Sequence, residues 1–176
     1  YSMLPIYECK LGELNAISLV FKPAIEENFQ AFSEMKELKL SYDDEKHIVF
    51  GPAIIPNKPI FRRDTNGREY YIVFSKETIE QLYHNFMKNK AFNFNLEHSN
   101  NVANVYLLEA FIKRPGLNPI GYEDIPDGSM FISLQVEDDN LWNSIKSGKF
   151  NGFSIECFVD IKPIDETELL INELLG

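Results

Sequence analysis

Ser154, His98 and Glu109 are of the types that nucleophilic hydrolysis requires. Ser154 stands in the run Lys149-Phe150-Asn151-Gly152-Phe153-Ser154-Ile155-Glu156-Cys157-Phe158. Strand alternation puts Phe153, Ile155, Cys157 and Val159 on one face and leaves Ser154 and Glu156 together on the other. Gly152 lets another backbone, or a peptide, come close just before the serine. Most serines on such a face are simply solvated; as a nucleophile Ser154 needs a histidine as base and a third group to hold the imidazole. His98 ends the apolar run Phe94-Asn95-Leu96-Glu97 and precedes the polar Ser99-Asn100-Asn101, a suitable place to hold an imidazole at the rim of a sheet. A lone histidine is more often structural or solvated. Glu109 lies inside Val105-Tyr106-Leu107-Leu108-Glu109-Ala110-Phe111-Ile112. An ionised carboxylate there is costly unless it is paired, or faces water from an edge strand. His98 and Glu109 have the types to complete a triad with Ser154, and only the fold can bring them together.

The elements that must position these residues are mostly strands. Ile17, Leu19 and Phe21, alternating with Ser18 and Val20, predict a strand over 15–21. Pro23 then opens a helix whose Glu26 and Glu27 suit its N-terminus. Strands are predicted at 47–55 and 70–74, with Asp64-Thr65-Asn66-Gly67 as a turn between them. The clearest helix is 76–88, with Ser75 as N-cap and an apolar stripe of Ile79, Leu82, Tyr83, Phe86 and Met87 that leaves His84 solvated. Strands follow at 91–96, 102–112 and 129–136, the last placing Met130, Ile132, Leu134 and Val136 on one face. Asp138-Asp139 begins a short helix carrying Leu141, Trp142 and Ile145, closed by Gly148. A final strand runs over 152–161, and 165–175 reads as a weakly amphipathic helix.

This order predicts a β-rich α+β domain, a small bent sheet or β-barrel with two or three flanking helices. The domain is expected over 15–162, with an N-terminal extension over 1–14 and an acidic tail over 163–176. Tyr1-Ser2 read as a remnant before Met3, and the tail as truncated or processed.

Composition narrows the function classes. The 176 residues carry 27 acidic against 17 basic side chains, a formal charge of −10, so a phosphate backbone is not an expected partner. No apolar run approaches the ~20 residues that span a bilayer, so no membrane partner is expected. The 14 Phe and 8 Tyr are enough for a real core. Cys9 and Cys157 form no disulfide framework and the three histidines are scattered, so a reducing compartment, no metal and no cofactor are expected.

Several segments resemble the phage XkdF-like serine proteases. They are Ile17-Ser18-Leu19-Val20 with Pro23-Ala24-Ile25-Glu26-Glu27-Asn28-Phe29, and Gly51-Pro52-Ala53-Ile54-Ile55-Pro56-Asn57-Lys58-Pro59-Ile60 through Arg62-Arg63-Asp64. Tyr70-Tyr71, Phe74-Ser75-Lys76-Glu77-Thr78-Ile79 and Asn95-Leu96-Glu97-His98 continue the likeness. Trp142-Asn143-Ser144-Ile145-Lys146-Ser147-Gly148 and Gly152-Phe153-Ser154-Ile155-Glu156 close it, in order, over roughly residues 14–160. The resemblance implies kinship with the prohead proteases of tailed phages and their herpesvirus-assemblin-like β-barrel fold. It implies a serine endopeptidase that cuts scaffold and major capsid protein inside the procapsid, in the bacterial host cytoplasm, processing itself as well and associating as a homodimer. Ser154 is similar to the family's nucleophile, His98 to its base, and Glu109 to a Glu in the strand after the histidine, expected to orient it. Glu156 and Asp160 are the alternatives for that third group. Cys157 stands where the family usually has Gly, and Ala110 where a polar residue is more common.

Overall fold

The longest strand sets the architecture. β1, Ile6–Val20, has 15 residues, which at about 3.3 Å each would reach about 50 Å if straight. A domain of this length is only about 40 Å across, from its expected radius of gyration, so the strand must bend. In this computed structural model, which describes residues 4–20, 40–99 and 104–175, it does so at two places where β1 carries an extra residue against its neighbour, at 9–12 and 14–16. Such bulges bend a strand and increase its twist.

The remaining elements follow in chain order. β2 (Ser41–Asp43), β3 (Ile48–Ile54), β4 (Ile60–Arg63) and β5 (Glu69–Phe74) precede the helix α1 (Lys76–Lys88). Then come β6 (Phe94–Leu96), β7 (Val105–Ile112), β8 (Met130–Val136), α2 (Asp139–Lys146), β9 (Gly152–Ile164) and α3 (Glu166–Leu175). One edge of β1 is taken along its length by antiparallel β9. The other edge is shared: residues 6–9 pair with parallel β5, and residues 17–19 with parallel β6. β4 closes that sheet beside β5. A second, antiparallel sheet has the order β2-β3-β8-β7. The fold is α+β, with a strongly curled, half-barrel sheet.

The main core joins the two sheets through Ile17, Leu19, Phe74, Phe153, Met130, Ile132 and Leu134, with Ile79, Leu82 and Phe86 from α1. Contact between the sheets is close: a methyl group placed on Gly51 of β3 would lie 3.6 Å from the Phe153 ring of β9 and 2.8 Å from Leu40. α1 begins as predicted, with Ser75 Oγ accepting from Thr78 N at 3.1 Å. Met87 departs from the predicted stripe and is exposed, while Thr78 is buried. Its hydroxyl lies 3.0 Å from the carbonyls of Cys9 and Lys10, where the first bulge has disturbed the β1 ladder.

β1 starts well before residue 15: residues 6–14, expected as an extension, belong to the central strand. β4, unmarked by alternation, fills the interval before the Asp64–Gly67 turn. The 165–175 segment is helical, and Leu169 of α3 is fully buried against Ile6, Tyr71 and Val73. The helix expected after Pro23 falls in 21–39, outside the described residues.

Candidate active site

Strand register assembles a polar row on one face of the curled sheet. Ser18 of β1 stands opposite Ser154 of β9 and, on its other side, opposite Asn95 of β6. Alternation then brings Glu156 to the face of Ser154, two residues along β9. The neighbouring Ile17, Leu19, Phe153 and Ile155 point the other way, into the core. The row is therefore the polar side of strands whose apolar side is buried.

His98 reaches this row because the chain reverses directly after β6. Glu97 and His98 both have φ of 53°, and Ser99 N donates to Leu96 O at 3.0 Å, the pattern of a tight turn with positive φ at both central residues. Each such non-glycine conformation costs about 1–2 kcal/mol. Glu97 N donating to Leu19 O at 3.0 Å and Ser99 Oγ to Leu96 O at 2.6 Å hold it in place.

The imidazole is bonded on both sides. Its Nε2 lies 2.8 Å from Ser154 Oγ, and its Nδ1 lies 2.9 Å from Glu156 Oε1 and 3.0 Å from Ser18 Oγ. Ser18 Oγ donates in turn to Asn95 Oδ1, while Asn95 Nδ2 donates to Glu156 Oε2 at 3.3 Å. These bonds close a ring through His98, Ser18, Asn95 and Glu156. Ser18 spends its proton on Asn95 and can only accept from the imidazole, and a carboxylate is acceptor-only. Both therefore select the tautomer with the proton on Nδ1, leaving Nε2 free to accept from Ser154. Ser154 is buried, whereas the His98 and Glu156 side chains are 38% and 36% exposed.

Of the expected residues, Ser154 and His98 are brought together and Glu109 is not. Glu109 sits on β7 in the second sheet, where a register shift sets it opposite Ser133. Its carboxylate accepts from Ser133 Oγ at 2.8 Å. The carboxylate behind the imidazole is Glu156. Asp160 shares the Glu156 face by alternation, but lies about 13 Å further along β9. Reading the sequence missed Ser18 and Asn95 as site residues. Their signal was present, a polar residue between buried apolar neighbours in Ile17-Ser18-Leu19 and Phe94-Asn95-Leu96, but it indicates a polar strand face without saying what gathers there.

An open groove of about 580 Å³ reaches His98 and Glu156. Arg62, Tyr70 and Ile72 line it from β4 and β5, and Ile155, Cys157 and Ile161 from β9. Cys157 packs against the main core and also lines the groove, and burial pushes its thiol up to about 11. Arg62, Lys58 and Ile60 border a smaller cavity with Phe153, Ser154 and Ile155. Among the described residues β9 is hydrogen-bonded as a strand only to β1, so no other described strand pairs with its outer edge. No group of His, Cys, Asp and Glu among the described residues is arranged to hold a metal ion.

Serine, imidazole and carboxylate in this order are what acyl transfer requires of a serine hydrolase. The chain belongs to the family described as "Putative phage serine protease XkdF", whose model matches residues 36–162. That match contains His98, Ser154, Glu156 and Asn95, and leaves Ser18 outside it. The chain matches no curated protein and no solved structure.

Proposed function

We propose that this protein is a serine endopeptidase of phage capsid maturation, using Ser154 as nucleophile, His98 as base and Glu156 as the acid that orients the imidazole. The observation that carries this reading is the single imidazole bonded at 2.8 Å to Ser154 Oγ and at 2.9 Å to Glu156. As Ser154 Oγ attacks a peptide carbonyl, its proton passes to His98 Nε2, and Glu156 stabilises the imidazolium. The tetrahedral intermediate collapses to an acyl-serine as His98 returns the proton to the leaving amine. Water, activated by the same imidazole, then releases the acid product.

The family supports a phage serine protease; scaffold and major capsid protein as substrates, self-processing, a homodimer and action within the procapsid in the host cytoplasm are part of the proposal. The outer edge of β9 beside Ser154, which pairs with no other described strand, suits an extended peptide, which would add to the sheet by backbone hydrogen bonds. The test is labelling by a serine-directed fluorophosphonate, beside Ser154→Ala and His98→Ala. Labelling of the parent protein that disappears in both variants is the expected result. A parent protein that takes no label, alone or mixed with its capsid and scaffold proteins, would indicate a non-catalytic assembly module on the same fold.

A further inference from the structure

One amide fixes the direction of the hydrogen bonds behind the imidazole. An asparagine side chain donates through its nitrogen and accepts through its oxygen. Asn95 Nδ2 lies 3.3 Å from Glu156 Oε2, and because a carboxylate only accepts, the donor side of the amide must face β9. The acceptor side, Oδ1, is thereby turned to β1, where it takes the proton of Ser18 Oγ. Register holds the three groups in this order, since Ser18 stands between Asn95 of β6 and the β9 strand that carries Glu156. Ser18 is fully buried. Among the described residues its hydroxyl is bonded to Asn95 Oδ1 and His98 Nδ1 only.

Resting on the peptidase reading above, we infer that Asn95 is a positioning residue of the reaction: its amide keeps the Ser18 proton off the imidazole, and it anchors Glu156 by the oxygen that the imidazole does not use. A buried donor needs an acceptor. Without Asn95 the Ser18 proton turns to His98 Nδ1, 3.0 Å away. An Nδ1 that accepts leaves the ring proton on Nε2, which then faces Ser154 Oγ and cannot take its proton. Ser18 thus has two opposed capacities. Paired with Asn95 it supports the productive tautomer, and unpaired it competes with Glu156 for Nδ1. Removing Ser18 should therefore reverse part of the damage done by removing Asn95, an outcome that two independent supports of the ring would not give.

The experiment measures the rate of fluorophosphonate labelling in four full chains: the parent, Ser18→Ala, Asn95→Leu and the double variant. Asn95→Leu, which nearly keeps the size of the side chain, should label about 10²-fold more slowly than the parent, short of the roughly 10⁴ that a wholly wrong tautomer costs. The double variant should label about tenfold faster than Asn95→Leu alone, a coupling of the size that residues in one network show. Nitrogen-15 NMR should find the His98 proton moved in part to Nε2 in Asn95→Leu and returned to Nδ1 in the double variant, where Glu156 alone sets the tautomer. Asn95→Ala replaces Asn95→Leu if thermal melting finds the latter unfolded. Labelling of the Asn95 variant at the parent rate, a double variant no faster than the Asn95 variant, or a proton that stays on Nδ1 when Asn95 is lost would each overturn the inference. Failure of the peptidase reading is distinguished by a parent chain that takes no label, because the tautomer of His98 is read in all four chains without turnover and still tests the part given to Asn95.

Discussion

Ser18 and Ser154 face each other across β1 and β9, and one imidazole serves both: His98 Nδ1 lies 3.0 Å from Ser18 Oγ and Nε2 lies 2.8 Å from Ser154 Oγ. The serines are alike in strand position but not in chemistry. Ser18 sits on the nitrogen that carries the proton, and its own proton is committed to Asn95.

This asymmetry predicts different losses. Ser154→Ala should abolish labelling and peptide cleavage. Ser18→Ala removes its hydrogen bond to the imidazole, worth about 0.5–1.5 kcal/mol, together with the one to Asn95, and should slow labelling by roughly two- to tenfold. Equal loss in the two variants would mean that Ser18 has a larger part than holding the ring.

Glu156→Gln should cost on the order of 10²–10⁴ in kcat while the fold persists, since a neutral amide no longer stabilises the imidazolium and can favour the wrong tautomer. Glu109→Gln should leave the rate within about twofold, because that carboxylate is bonded to Ser133. Nitrogen-15 NMR of His98 reads the tautomer directly, with the proton expected on Nδ1 in the parent protein and redistributed in Glu156→Gln.

The buried thiols predict an alkaline limit to stability. Burial pushes Cys9 from an ordinary 9.0 up to about 12 and Cys157 up to about 11. The folded state thus holds protons that the unfolded chain releases above pH 9. The contribution is whole below pH 9 and is lost as pH rises through about 11–12, at up to about 1.4 kcal/mol per pH unit for each thiol. Denaturant unfolding of the reduced protein between pH 8 and 11 should show this fall, and Cys9→Ala should make it shallower from a lower starting stability.

Leu169 is the one fully buried side chain of α3, held by Ile6, Tyr71 and Val73. Leu169→Ala removes a contact of the kind worth about 2–5 kcal/mol in a core, more than a ten-residue helix can sustain alone. The helix should undock while the sheets remain folded. Fast hydrogen exchange confined to 166–175 is the expected result, and a concerted drop in the melting of the whole domain would contradict it.

Much of the local structure was legible in the chain. Ser75 caps α1 as expected, and Asp138, expected at the start of α2, caps it, because an N-cap depends on a few adjacent residues. Met130, Ile132, Leu134 and Val136 do share a buried face, though Phe131 and Ser133 are buried as well. Alternation indicates a face, and a second covering layer makes both faces core: Phe131 packs with Ile55, Tyr122 and Ile125. The early part of β1 was hidden because Glu8, Lys10 and Glu13 interrupt its apolar residues and bulges break its alternation.

That Ser154 and Glu156 share a strand face and that an imidazole stands at the end of a strand can be read from the chain alone, since a period of two and a strand end are local properties. The chain alone could not establish Glu109, which the resemblance favoured, over Glu156 or Asp160, because each is an acid in a largely apolar strand. Long-range strand pairing sets which one stands behind the imidazole and which serine meets which nitrogen. Those choices depend on the register of β9 and β6 against β1 and on the turn at 96–99, and such ladders join residues far apart in the chain, where local pattern carries no information.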